Sequence, residues 1–120
     1  MGYRSEVGLA LTKKGVENLK QRLANPELSQ EIREVVREFF DCADKHAKDE
    51  EDGQEAWYWD YRKWYMGFPE VDFIEQLLSE LPDEDFRFIR IGEDYDDTEM
   101  RGGFWDDPFG MELTRSITFA

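Results

Sequence analysis

The chain contains one cysteine, one histidine and few basic residues, and these shortages narrow the possible functions. A single cysteine, Cys42, among 120 residues leaves no disulfide framework and no cysteine-based metal site. A reducing, cytoplasmic location fits this usage best. The N-terminus has no apolar leader, and no hydrophobic run approaches the length that spans a bilayer. The sequence therefore predicts neither export nor membrane insertion.

The charge balance is strongly acidic. The chain has 29 acidic and 15 basic residues, for a net charge of -14. A field of this sign repels phosphate backbones and anionic lipid surfaces. We therefore expect a protein partner, with no direct contact to nucleic acid or membrane. A basic protein surface or a cation suits this field, and the chain itself is expected to be a monomer or a weak homo-oligomer.

The apolar content is sufficient for one folded unit. Hydrophobic residues make up 40% of the chain and aromatic residues 15%, which supports a packed core under a highly charged surface. The length suits one domain, and no linker or repeat divides it. We predict a single domain over residues 1–120.

The first half of the chain predicts one strand and two helices. Val7, Leu9 and Leu11 alternate as in a strand, and Thr12 can cap a helix over residues 13–24. The next amphipathic pattern runs from about 28 to 47. It predicts a helix that carries His46 in its last turn, with Cys42 one turn away.

The second half predicts three strands and a third helix. Residues 56–66 are rich in aromatics, which favours a strand. The alternation of this strand predicts that Trp57, Trp59 and Tyr61 face the core. Pro69 opens a helix that ends near Leu81. Alternation predicts a central strand over residues 86–91 and a last strand over residues 113–119.

This order of elements indicates the fold class. Strand, two helices, strand, helix, strand and strand predict an α+β, two-layer sandwich with about four mainly antiparallel strands and helices on one face. Its general style is ferredoxin-like.

An acidic segment follows the central strand and offers three interpretations. It holds five carboxylates between Glu93 and Glu99. An EF-hand loop starting at Asp94 is excluded, because Glu99 stands where Gly is needed and Trp105 where a bidentate Glu is needed. A looser cation site, including a metal-dependent hydrolase that uses Asp94, Asp96 and Asp97, stays open. A solvated hairpin turn is the favoured interpretation.

Other chemistry finds little support. His46 has no nucleophile motif beside it, and a pair with Cys42, one helical turn away, is the catalytic alternative that stays open. Gly102 and Gly103 lack the rest of a phosphate-binding loop and predict a turn with positive φ. We expect no cofactor. Four aromatic residues are expected to be exposed: Trp64, Tyr65, Phe104 and Trp105.

Three segments resemble a group of small acidic proteins encoded by bacteriophages and prophages, to which no established activity attaches. The segments are GYRSEV at residues 2–7, KWY at 63–65 with FPEV at 68–71, and RIGEDYDD at 90–97. Proteins of that kind often bind host proteins, and strongly acidic ones sometimes imitate DNA. The resemblance implies a bacteriophage or prophage context for the protein, and it implies no mechanism.

These observations predict a non-enzymatic module that binds a host or phage protein through an acidic surface. The predicted binding residues are Glu93, Asp94, Asp96, Asp97, Glu99, Trp105, Asp106 and Asp107. Two alternatives are a DNA-mimic inhibitor of a host defence nuclease or repressor and the metal-dependent hydrolase. A structural or assembly role is a further option.

Overall fold

The computed structural model of the protein describes residues 2–94 and 96–104. The strands are β1 (Ser5–Leu11), β2 (Lys45–Asp49), β3 (Gln54–Arg62), β4 (Phe86–Gly92) and β5 (Thr98–Arg101). The helices are α1 (Lys13–Ala24), α2 (Gln30–Asp41) and α3 (Pro69–Glu80). A short 3-10 turn, Asp83–Asp85, precedes β4.

The strands form one antiparallel sheet. Their order is β2, β3, β1, β4, β5, and each paired neighbour runs antiparallel. With α1 and α2 in the first connection and α3 in the second, β1 to β4 have the β-α-β-β-α-β connectivity of the ferredoxin-like arrangement. The predicted α+β class is confirmed, with five strands where about four were expected.

Helix starts follow the local signals in the sequence. Thr12 Oγ1 accepts the backbone N–H of Gly15 at the start of α1, and Ser29 Oγ accepts that of Ile32 at the start of α2. Pro69 occupies the first turn of α3, where its missing N–H costs nothing. The predicted helices over 13–24 and from Pro69 are confirmed.

The predicted helix over residues 28–47 is wrong in its second half. Helix α2 ends at Asp41, and residues 45–49 form the strand β2, which pairs with β3. His46 therefore lies opposite Trp57 in a sheet and not in a helical turn. The backbone of β3 satisfies hydrogen bonds that a continued helix would have made internally. Cys42 is exposed at the end of α2.

A bulge in β3 corrects the predicted face of Tyr61. Ser5 pairs with Arg62 and Val7 with Trp59, so between these pairs one residue of β1 lies opposite two residues of β3. Tyr61 has φ 55° and a 66% exposed surface, whereas Trp59 is fully buried. The expected core position of Tyr61 is therefore wrong. The predicted strand over 56–66 ends at Arg62.

The main core lies between the sheet and the helices. Alternate residues of β1 and β3 face α1 and α3, which contribute an apolar stripe to the same cluster. Its fully buried members include Leu9, Leu11, Trp59, Ile74, Leu77 and Phe88. Burial of these side chains supplies the main drive for folding.

Three aromatic residues expected at the surface are more buried than predicted, and the half-buried Tyr65 is one of them. Phe104 is 6% exposed and packs with Ala10 and Ala56 on the sheet face opposite the helices. Trp64 is half-buried, with its ring 6.1 Å from that of Phe39 and 5.8 Å from that of Phe88. The rings of Phe104 and Trp64 therefore contribute to packing.

Some of the predictions concern residues that the structure does not describe. The predicted last strand, residues 113–119, lies outside the described residues, as does Trp105. Gly102 has φ +88°, which confirms the predicted turn. No helix within residues 2–94 and 96–104 has the length and apolar character needed to cross a membrane.

Candidate functional site

The acidic turn, defined as residues 93–97, connects β4 to β5. The N–H of Gly92 donates to Asp97 O at 2.8 Å, and the N–H of Asp97 donates to Asp94 O at 3.0 Å. Glu99 lies in β5, opposite Arg90 of β4. The five carboxylates of the segment thus occupy two kinds of position, four in the turn and one on a strand.

Two of these carboxylates form ion pairs with Arg90. Its Nη2 lies 2.8 Å from Asp97 Oδ1 and its Nε lies 3.0 Å from Glu99 Oε1. Nη1 of the same guanidinium donates to Ser5 Oγ at 3.1 Å. The side chain of Arg90 is 16% exposed. Asp97 and Glu99 therefore stabilise the β4–β5 hairpin, where they offset a largely buried cation.

The pKa of Arg90 follows from these contacts. The hydrogen bond from its guanidinium to Asp97 raises the pKa of Arg90 above its usual value, burial opposes that rise, and Glu99 adds to it. The net direction is upward. Arg90 stays charged, and the two paired carboxylates present less negative charge to solvent.

Tyr3 connects the acidic turn to two other parts of the chain. Its Oη donates to Asp97 Oδ2 at 2.5 Å and accepts the N–H of Asp94 at 3.0 Å. Its backbone N–H donates to Tyr65 Oη at 2.5 Å. Segments 2–7, 63–65 and 90–97, which the sequence singled out separately, thus meet at one residue.

The surroundings of Tyr3 act on its phenol in opposite directions. The N–H donated by Asp94 lowers the pKa of Tyr3. The Asp97 carboxylate, burial and the charges of both aspartates raise it, and the net shift is upward from 10.0. The hydroxyl therefore keeps its proton and remains a donor to Asp97.

Gly92 is required by the close approach of Tyr3 and Asp97. A Cβ at Gly92 would collide with Asp97 Oδ2 and Tyr3 Oη. Only a residue without a side chain leaves room for that hydrogen bond at the end of β4. The glycine of the RIGEDYDD segment thus has a steric role.

The other carboxylates of the acidic turn face solvent. Glu93, Asp94 and Asp96 are exposed. Beside them lies a groove of about 500 Å³, lined by Gly2, Tyr3, Arg4, Tyr61 and Glu93 and called the Tyr61 groove below.

One wall of the Tyr61 groove is an aromatic ring with a cation above it. The Arg4 guanidinium carbon lies 5.0 Å from the centroid of the Tyr61 ring. The β3 bulge presents this ring at the surface. The wall therefore combines a cation with an exposed aromatic face, next to the carboxylate of Glu93.

The predicted binding residues divide into three groups. Glu93, Asp94 and Asp96 share one exposed surface, whereas Asp97 and Glu99 are used within the fold. Trp105, Asp106 and Asp107 lie outside the described residues. The sequence reasoning missed Tyr3, Arg4, Tyr61 and Arg90. Arg90 was detectable, because a cation ending a strand before a run of acids favours a cross-strand ion pair.

The described part of the chain, residues 2–94 and 96–104, has no group of three or more His, Cys, Asp and Glu side chains arranged to hold a metal ion. In the proposed hydrolase cluster, Asp97 already bonds Arg90 and Tyr3.

Comparison with known proteins adds no relative, since no protein-family model, curated protein or solved structure matched the chain.

Proposed function

We propose that this protein is a non-enzymatic protein-binding module of bacteriophage or prophage type. It binds a host or phage protein through the Tyr61 groove and the exposed carboxylates Glu93, Asp94 and Asp96. This surface is narrower than the one expected from the sequence, because Asp97 and Glu99 bond Arg90.

The conformation of Tyr61 is the observation that carries the proposal. Holding a non-glycine residue at φ 55° costs conformational free energy. Folding alone does not require this strained conformation. Among the described residues Tyr61 is the only non-glycine with positive φ. The strain presents a large ring to solvent, and tyrosine is enriched among the residues that dominate binding energy at interfaces. Bulges also tend to re-aim side chains beside functional sites.

The charges around the Tyr61 groove define the partner. Glu93, Asp94 and Asp96 favour a segment that carries lysine or arginine, and they would speed its association at low salt. The Tyr61 ring offers a face for an aromatic or guanidinium group of that segment. We therefore propose a partner segment that combines basic residues with one aromatic residue.

Peptide selection followed by quantitative binding tests this proposal. Peptides displayed as a random library are selected on the immobilised protein, and their affinities are then measured by calorimetry. Tyr61→Ser and the pair Glu93→Gln with Asp96→Asn should each weaken binding about tenfold or more. The matched control is Glu31→Gln with Glu38→Gln, which removes two exposed charges on α2.

Three outcomes would contradict the proposal. Selected peptides with no excess of basic residues would exclude the proposed charge match. Equal weakening by the α2 control would show that net charge alone drives binding. Competition by duplex DNA for the same selected basic partner, with no effect of Tyr61→Ser, would favour the DNA-mimic function instead.

A further inference from the structure

A second concave site lies on the other side of the molecule, between α1, α2 and the edge of the sheet. Two adjoining hollows of about 320 and 350 Å³ share Val16, Lys20 and Glu55. We call the two hollows together the α1–β2 cleft. Its volume suits a small molecule.

A buried carboxylate forms part of this cleft. Glu55 is only 6% exposed, and the other buried polar residues of the described ranges, Ser5 and Asp85, bond Arg90 and Thr12. Burying a charge costs free energy unless the charge is paired. The partners of Glu55 are His46 at 2.8 Å and Lys48 at 4.0 Å, and both of these side chains are about half exposed.

The imidazole of His46 is held in a defined orientation. Its Nε2 bonds Glu55, and its ring stacks on Trp57 with centroids 5.2 Å apart and an interplanar angle of 8°. Because Nε2 is used in the bond to Glu55, Nδ1 remains for another partner. The side chain is 46% exposed and lines the cleft.

The larger hollow combines an apolar lining with two cations. Its apolar residues are Val16, Leu19, Leu23, Phe40 and Trp57. Lys20 of α1 and Arg37 of α2 contribute the cations. Neither forms an ion pair within 4 Å with another described residue, while Glu55 is already matched by His46 and Lys48.

We propose that the α1–β2 cleft binds a small molecule that joins one aromatic ring to one anionic group. The ring packs against Trp57 and the other apolar residues, and a carboxylate or phosphate bonds Lys20 and Arg37. This site is separate from the Tyr61 groove, so it stands independently of the protein-binding function.

Nuclear magnetic resonance titration of the full chain tests this proposal with defined probes. Indole-3-acetate carries a ring and a carboxylate, and phenyl phosphate carries a ring and a phosphate. Indole carries only the ring and acetate carries only the anionic group, so they test each part separately. We expect a dissociation constant of about 1 mM for at least one of the two complete probes, with shifts at Trp57 Nε1–H and the Lys20 amide. The tighter complete probe identifies the anionic group.

Lys20→Met should weaken this binding about fivefold, because it removes the cation and keeps the length of the side chain. Lys14→Met on the exposed side of α1 is the matched control and should leave the affinity unchanged. Both lysines are exposed, so neither change threatens folding. Three results would overturn the proposal: no shifts in the cleft at about 10 mM probe, indole binding as tightly as the complete probes, or equal weakening by the two variants.

Discussion

The hydroxyl of Tyr3 donates a hydrogen bond to Asp97 across 2.5 Å, although 94 positions separate the two residues. The same hydroxyl accepts the N–H of Asp94. One phenol thus holds the start of the chain against the acidic turn. The turn that carries the exposed Glu93, Asp94 and Asp96 is bonded through this contact.

Tyr3→Phe should loosen the acidic turn without disturbing the core. The change removes the donor to Asp97 and the acceptor for Asp94, so the denaturation midpoint should fall and the Asp94 amide should exchange faster with solvent. Urea unfolding and hydrogen exchange measure the two effects. Tyr61→Phe is the control, because no hydrogen bond of its hydroxyl to another described residue is found. Equal effects of both changes would contradict this role for Tyr3.

Gly92→Ala should destabilise the fold by about 1–3 kcal/mol, the usual cost of overpacking. Its new Cβ would collide with Asp97 and Tyr3. In an Asp97→Ala background the same change should cost less, since the nearest obstructing oxygen is gone. Urea unfolding of the four proteins in this cycle gives the coupling energy. A cost that is identical in both backgrounds would place the strain elsewhere.

Arg90→Met should lower the free energy of unfolding by about 1–3 kcal/mol, because it removes one charged donor from Asp97 and one from Glu99, of which Glu99 keeps Arg101 at 3.5 Å. The two carboxylates would then repel each other across the hairpin. Chemical denaturation measures the loss, and Lys14→Met is the control for removing a charge at an exposed site. Arg90→Lys should restore only part of the stability, since an ammonium lacks the planar fork that reaches both acids.

Tyr61→Asn should raise the free energy of unfolding by about 1 kcal/mol while weakening partner binding. Asparagine tolerates positive φ better than tyrosine. The relief of strain outweighs the loss of one exposed contact with Arg4. Thermal and urea unfolding measure the stability. A variant that is less stable than the parent would show that the bulge holds no strain.

Alkaline pH should reduce stability through two tyrosines. Burial and the hydrogen bond to Glu6 raise the pKa of Tyr58, and the pKa of Tyr3 is also raised from 10.0. In each case the unfolded chain loses its proton first. The stability that each protonated tyrosine contributes is therefore complete below pH 10.0, and it is lost as the pH rises above that value. Urea unfolding at increasing pH should show this fall, and Tyr58→Phe should reduce its slope.

Local patterns predicted the elements that depend on neighbouring residues. Thr12 and Pro69 mark helix starts because their effects act within one turn. The alternation of Val7, Leu9 and Leu11 identifies β1 because one face of the sheet is buried. These features required no knowledge of distant residues.

The boundary between α2 and β2 required information from elsewhere in the chain. The helical spacing of apolar residues continues to Ala43, and nothing local marks residues 45–49 as a strand. Their partner is β3, which supplies the backbone hydrogen bonds. Pairing with the next strand of this hairpin overrode the local periodicity.

The sequence by itself determined the α+β class, the main apolar stripes and the acidic character of residues 93–99, since these follow from composition and periodicity. Only the tertiary structure decided how those acids are used. Arg90 and Tyr3 bond Asp97, and Arg90 also bonds Glu99, while Glu93, Asp94 and Asp96 are left exposed. The reason is physical: ion pairing and hydrogen bonding act over a few ångströms in space, whatever the separation along the chain.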